Sequence, residues 1–407
     1  MSESSAIVWW MKQGTGEATI DRGGDWTMIR NQLPENYREL ALEHSLIKPD
    51  LPSALGSNVT DIDPILRLIF YHVATHSGLR QTTAMGVAAG LITLSAVALH
   101  KWMKKIGPYI ADVLAELITA KSLFSAERWA GYDIQVVDAT TAQRPGANGT
   151  TARVHYALRL TTAQPSQIQV TSDKGGETFR RFDAQQGQLW MGDRAYANPP
   201  GIAWMCDQGA DVLVRYNRGS LPLYDKNGDE IDIFQKFSRL QKPNQVREWA
   251  AWVYPKTHEP IRGRLCIVRL PTDKANQARE RVHKELGTKA TPEALRAADY
   301  VTVFTTVPRE RLSKDLVIDL YRIRWQIELY IKRDKSIAGL DRLPNFREDT
   351  IFTWLCTKLL LTQITLKIAS PEVVSANSLS PKLLNPDRNW MPAFVLEGHE
   401  LGASAAS

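Results

Sequence analysis

The chain has 407 residues, with 50 Lys and Arg against 44 Asp and Glu and a formal charge of +6. At 43% hydrophobic residues and with 12 Trp it can bury large cores, which excludes a disordered polyelectrolyte. Cys206, Cys266 and Cys356 are too widely spaced for a CxxC pair, which excludes a disulfide framework and a cysteine-built zinc site and points to a reducing cytosol.

The opening residues place no basic segment ahead of a long apolar run, so no signal peptide is expected. Residues 1–125 read as an all-helical domain rich in Ala and Leu. Asp63-Pro64 starts a helix over Ile65–Ala74, Ser77-Gly78 ends it, and Leu79–Ala89 resumes. Gly90 and Thr93 then break the chain before Leu94–Lys105. The uncharged stretch Gln81–His100 holds Thr, Ser and Gly, and reads as a helix pair of a soluble domain rather than a membrane span. Two short helices across a glycine turn, the second ending in Lys101, Lys104 and Lys105, fit a DNA-reading helix-turn-helix. An ordinary helical hairpin fits the same pattern.

After Arg128 the texture changes. Tyr132–Asp138, Arg153–Thr161 and Gln167–Thr171 are short β-branched and aromatic runs separated by turn residues, which predicts a strand meander. A polar helix is expected over Gly176–Gln186, then a strand over Gln188–Gly192 and another over Asp211–Tyr216. Residues 218–306 form a separate β-rich insertion, with strands at Glu248–Tyr254, Arg264–Leu270 and Tyr300–Thr306 around a helix-prone segment, Asp273–Ala298. From Ser313 to about Ile368 the pattern is helical, and 371–407 reads as a tail. The fold class is therefore α/β. A mixed sheet with flanking helices spans 126–217 and 307–370, is interrupted by the insertion, and follows a helical domain.

The basic excess is uneven. Residues 1–125 hold 11 Lys and Arg against 12 acids, whereas 220–300 hold 15 against 11 and 321–347 hold 7 against 3. Trp249, Trp252, Tyr300, Tyr321 and Trp325 interleave with these cations. Such a mixture suits a polyanion with exposed bases, and equally a solvated basic surface.

Asp138 closes one predicted strand and Asp193 follows another, so both leave the sheet where a metal could be held. Strand-end aspartates also cap turns. Asp133 sits at a strand start and is set aside. The segment Asp319–Lys335 is richer. At about 100° per residue, Tyr321, Arg324, Trp325, Glu328, Lys332 and Lys335 share roughly a third of a helix circumference. Leu320, Ile323, Ile327 and Ile331 line the adjoining side. One carboxylate among cations and aromatics fits a nucleic-acid cleavage site, or a solvated helix stitched by Glu328 to Arg324 and Lys332.

The spacing Tyr321-x2-Arg324-x3-Glu328-x6-Lys335 resembles, without a gap, the Y-x2-R-x3-E-x6-K signature of DDE transposases of the insertion-sequence-four family. Asp138 and Asp193 resemble that family's two catalytic aspartates, and the likeness covers roughly residues 125–370. It implies a ribonuclease-H-like core in which Asp138, Asp193 and Glu328 hold two Mg²⁺, with Mn²⁺ as a substitute. It implies phosphate contacts from Tyr321, Arg324 and Lys335, assisted by Lys332. Trp325, and Tyr300 where the family usually has Trp, would receive a flipped base during hairpin formation. The partners implied are transposon terminal inverted repeats and target DNA, bound by a homodimer in the cytoplasm at the nucleoid, with no membrane. Two other classes stay open: a metal nuclease of the same fold without strand transfer, and a non-catalytic DNA-binding regulator. A glycosidase with paired carboxylates would not need the cationic helix face.

Overall fold

The computed structural model describes residues 24–48, 59–118, 129–340 (147, 161 and 163 apart), 343 and 350–369. The predicted tail at 371–407 lies outside these residues. The strands are β1 (Asp133–Ala142), β2 (Ala152–Arg159), β3 (Gln164–Ser172), β4 (Gln188–Gly192), β5 (Asp211–Arg215), β6 (Val246–Val253), β7 (Ile261–Arg269) and β8 (Tyr300–Thr305). They form one mixed sheet in the order β3-β2-β1-β4-β5-β8-β7-β6. β1 pairs antiparallel with β2 and parallel with β4, and β4 pairs parallel with β5. Parallel strands buried on both faces read as unbroken apolar runs. β4 is buried along its whole length, as are the three central residues of β5.

The helices before the sheet are α1 (Gly24–Arg30), α2 (Tyr37–Glu43), α3 (Asp63–Thr75), α4 (Leu79–Ala88), α5 (Ala96–Lys105) and α6 (Gly107–Ile118). Within and beyond it come α7 (Pro199–Asp207), α8 (Ile233–Phe237), α9 (Thr272–Leu286), α10 (Pro292–Ala298), α11 (Lys314–Ile323), α12 (Trp325–Ala338) and α13 (Ile351–Ala369). One sheet face, with Val136, Tyr156, Met191 and Val303, shares a core with α3, α6 and α11–α13. The other, with Val137, Trp190, Val212 and Phe304, packs on α7 and α8. α13 is long and apolar enough to cross a membrane, but 78% of its apolar window is buried inside the fold. Its Trp354 takes the His72 and His76 rings of the α3 end edge-on at 5.1 and 5.3 Å. Gly107 lets α6 approach closely, since a Cβ there would lie 2.5 Å from Thr353 Oγ1. These contacts are those of a core helix.

Four expectations are corrected. The segment 176–186 carries only a 3₁₀ turn at Phe179–Arg181, because Phe179 and Phe182 both turn into the core. β1 does not end at Asp138 but runs to Ala142, since β2 continues to pair with it from Asp138↔Tyr156 to Ala142↔Ala152. The helix over Asp319–Lys335 is two helices, broken at Arg324, where Arg324 N→Tyr321 O and Ile327 N→Arg324 O are three-residue bonds. The insertion is not a separate block, because β8, β7 and β6 extend the core sheet antiparallel from β5. The helical pair across Gly90 is present as α4 and α5, with Ser95 capping α5 by accepting from Ala98 N.

Candidate active site

β1 and β4 run in register up to Val136↔Met191. Asp138 stands two residues further along β1 and Asp193 directly follows the end of β4, so the same register carried on sets them at one level, on the face that Val136 and Met191 share. The same register carried through Gly192↔Val214 puts Arg215 of β5 beside Asp193. Asp138 Oδ1 accepts from Ala139 N and Asp193 Oδ1 from Ala195 N, both at 2.8 Å, so each carboxylate keeps one oxygen for other partners. Tyr196 folds back over Gly192, where a Cβ would lie 2.7 Å from Tyr196 Cβ. That bare glycine lets the chain turn tightly under Asp193.

α12 packs across β1 and brings Glu328 to the same edge. The Arg324 guanidinium joins the acids: Nη2 donates to Glu328 Oε1, and Nη1 lies 3.9 Å from Asp138 Oδ2. Burial pushes the Asp138 carboxyl up to about 6 against the opposing pull of the Ala139 N–H and Arg324, with Asp193 and Glu328 adding to the rise. Tyr321, largely buried at the end of α11, has its phenol pushed up by burial while Arg324, Arg215 and Arg194 act to lower it. Burial lowers the Arg215 guanidinium to about 10, and Arg194 and Arg324 push it the same way.

Lys335 is half-buried on α12, and Lys332 is exposed with Nζ 5.6 Å from the centre of the Trp325 ring. Trp325 is 37% exposed and so is not a core aromatic. Tyr300 differs. It is buried, its ring stacked on Phe237 at 4.1 Å and 2°, in the core that the second sheet face shares with α7 and α8. In α5, Lys101 is exposed, while Lys105 Nζ donates to Ser45 O and lies over the Trp102 ring. Arg215 was not singled out by spacing; the signal available was a cation directly after a buried strand run, Val212-Leu213-Val214.

Three carboxylates arriving from two strands and a helix are hard oxygen donors of the kind Mg²⁺ and Mn²⁺ prefer. Among the described residues no three acidic, imidazole or thiol groups are drawn together around one point, and a guanidinium lies between Asp138 and Glu328. The donor set fits a divalent ion nonetheless, since Asp193 and Glu328 both repel charge on Asp138 and burial disfavours that charge further.

Strands ordered β3-β2-β1-β4-β5, with an acid at the carboxyl edge of the parallel pair, agree with a ribonuclease-H-like fold of nucleic-acid enzymes. A family profile described as "Transposase DDE domain" matches residues 129–364. The chain therefore belongs to the DDE transposase family. It is 27% identical over 324 residues to the transposase for insertion sequence element IS421 of Escherichia coli, covering 77% of this chain and 87% of that one. The putative transposase InsL for insertion sequence element IS186A of Escherichia coli strain K12 is 26% identical over 323 residues, with the same coverage. The transposase for insertion sequence element IS231F of Bacillus thuringiensis subsp. israelensis is 24% identical over 367 residues, covering 80% of this chain and 76% of its own.

Proposed function

We propose that this chain is the transposase of an insertion sequence, acting by cut-and-paste. It would nick DNA at the element's ends, release them through a hairpin, and join the freed 3′-hydroxyls to a target. The observation that carries this reading is the level placement of Asp138 and Asp193 with Glu328 tied to them through Arg324. Asp138, Asp193 and Glu328 would hold two Mg²⁺. Bound there, the metals supply Lewis acidity at the scissile phosphate and an activated nucleophile.

The chain's own groups do the rest. Arg324, Tyr321 and Lys335, with Arg215 and Arg194 behind them, form a cationic wall that fixes phosphates beside the acids and excludes other orientations. In the free chain Arg324 neutralises the acids, and entering phosphate competes for the same guanidinium. Trp325, exposed beside that wall, offers a face to one unstacked base, and Lys332 steadies the indole. Tyr300 is committed to Phe237, which supports a packing role. Residues 1–125 would bind the terminal repeats, and a homodimer would pair the two ends.

The test uses the full chain and a DNA fragment carrying the flanks of its own reading frame, with Mg²⁺, and maps products at nucleotide resolution. Nicks at fixed positions outside the frame, followed by hairpins and joined products, are expected. Nicks without joined products would leave the metal-nuclease reading. Binding without cleavage would leave the regulator.

A further inference from the structure

We infer that Tyr156 and Asp334 are positioning residues that fix the rotation of α12 and so aim Glu328 at the aspartate pair. The inference rests on the metal-holding role proposed for Glu328. It starts from a problem in the fold. α12 is only 14 residues long and joins α11 through a single 3₁₀-type turn at Arg324, which loosens its coupling to the rotation of α11. Of its buried side chains, Ile327 and Ile331 are aliphatic, and apolar contact is non-directional.

The rotation matters because of lever length. Glu328 extends about 6 Å from the helix axis, so a turn of about 20° moves its carboxylate by about 2 Å. Metal–ligand distances tolerate only about 0.2 Å.

One buried polar contact meets the need. Tyr156 Oη donates to Asp334 Oδ2 at 2.8 Å, and both residues are fully buried. Tyr156 is the direct cross-strand partner of Asp138 on β2, so the bond refers α12 to the same row of the sheet that carries the first aspartate. Asp334 lies about 120° around α12 from Glu328 and about 9 Å along it. A bond on that flank opposes rotation, where one beside Glu328 would compete with the site. A carboxylate in a core is tolerated only with a donor, so rotations that part Asp334 from Tyr156 are disfavoured. A second contact agrees. Tyr330, one turn earlier on the buried side, meets the Tyr156 ring edge-on at 5.7 Å, and its hydroxyl accepts from Gln363 of α13. Lys358 of α13 donates to Gly339 O at 2.7 Å, holding the end of α12.

The test measures Mn²⁺ binding by the full chain, by electron paramagnetic resonance of the free ion, together with thermal melting and the Mg²⁺ dependence of nicking. Tyr156→Phe alone takes a donor from a buried carboxylate and lowers stability as well. The decisive variant is therefore the double Tyr156→Phe, Asp334→Leu, which removes both ends of this bond and keeps the apolar bulk. It is expected to melt within a few degrees of wild type, yet to need at least about tenfold more Mn²⁺ for half-saturation. Asp334→Asn keeps an acceptor for the tyrosine proton and is expected to bind Mn²⁺ within about twofold of wild type. A double variant with wild-type melting and wild-type Mn²⁺ affinity overturns the inference. Wild-type Mn²⁺ binding that survives Asp138→Ala instead overturns the metal reading, and the inference with it.

Discussion

Asp138 and Asp193 stand side by side, each two residues beyond the paired Val136 and Met191, although 55 positions separate them in the chain. The parallel register of β1 and β4 leads into that adjacency, and the turn after Gly192 completes it. Neither carboxylate needs the other, or any ligand, to be brought there.

On the proposed metal-holding role, Asp138→Ala, Asp193→Ala and Glu328→Ala are each expected to lower end nicking by about 10³-fold or more, the loss of several kcal/mol that removing a metal ligand would bring. Affinity for end DNA should hold or rise slightly, since each change removes negative charge facing phosphate. Paired nicking and gel-shift assays check this, and Mg²⁺-dependent nicking retained by one variant removes that residue from the site.

Trp325→Ala is expected to leave first-strand nicking intact and to stall before the hairpin, losing about 1–3 kcal/mol of base stacking. With 37% of Trp325 exposed, the melting temperature should shift little. A loss of several degrees together with loss of nicking would show the indole to be structural.

Replacing Lys101 and Lys104 by Ala should flatten the salt dependence of DNA binding by about 0.9 for each phosphate no longer neutralised. Lys105→Ala should act on stability instead, because its ammonium bonds Ser45 O and covers Trp102. An unchanged slope for the double variant would turn this face of α5 away from DNA.

The buried imidazoles set an acid limit. Burial lowers His72 and His155 to about 4, with His76 adding to the first shift and Arg181 and Arg153 to the second. Between the unfolded value of about 6.5 and the folded value of about 4, the unfolded chain binds the extra protons. Stability present above pH 6.5 is therefore lost as pH falls through that window, by up to about 3 kcal/mol per histidine. Melts between pH 7.5 and 4.5 should show the decline, and His72→Gln should make it shallower.

Gly192→Ala should cost about 1–3 kcal/mol and most of the nicking activity, because the new methyl meets the Tyr196 Cβ and Cγ and the turn that carries Asp193 must open. Denaturant melts and nicking rates read the two effects separately.

Local signals made much of this legible. The helix start at Asp63-Pro64, the apolar runs of β4 and β5, and the placing of Asp193 just past the end of β4 all follow from side-chain chemistry within a few residues. What stayed hidden depends on partners far along the chain. β1 overruns Asp138 because β2 is there to pair with it. Arg215 joins the site only through its level beside Asp193. Tyr321 and Glu328 fall on one face of a continuous helical wheel although Arg324 divides the helix, and no glycine or proline marks that break.

The continuity of the sheet also has a temporal side. Thr305 Oγ1 donates to Val212 O across 93 positions, so the β5 edge has no partner until the whole insertion has been made. At about 5–20 residues per second, that edge stays open on the ribosome for roughly 5–20 seconds. Glu328 emerges later still, after Asp138 and Asp193 have long been in place. A growing chain thus carries its two aspartates without Glu328, and any chain stopped before β8 has an unsealed strand and lacks the third of the proposed acids.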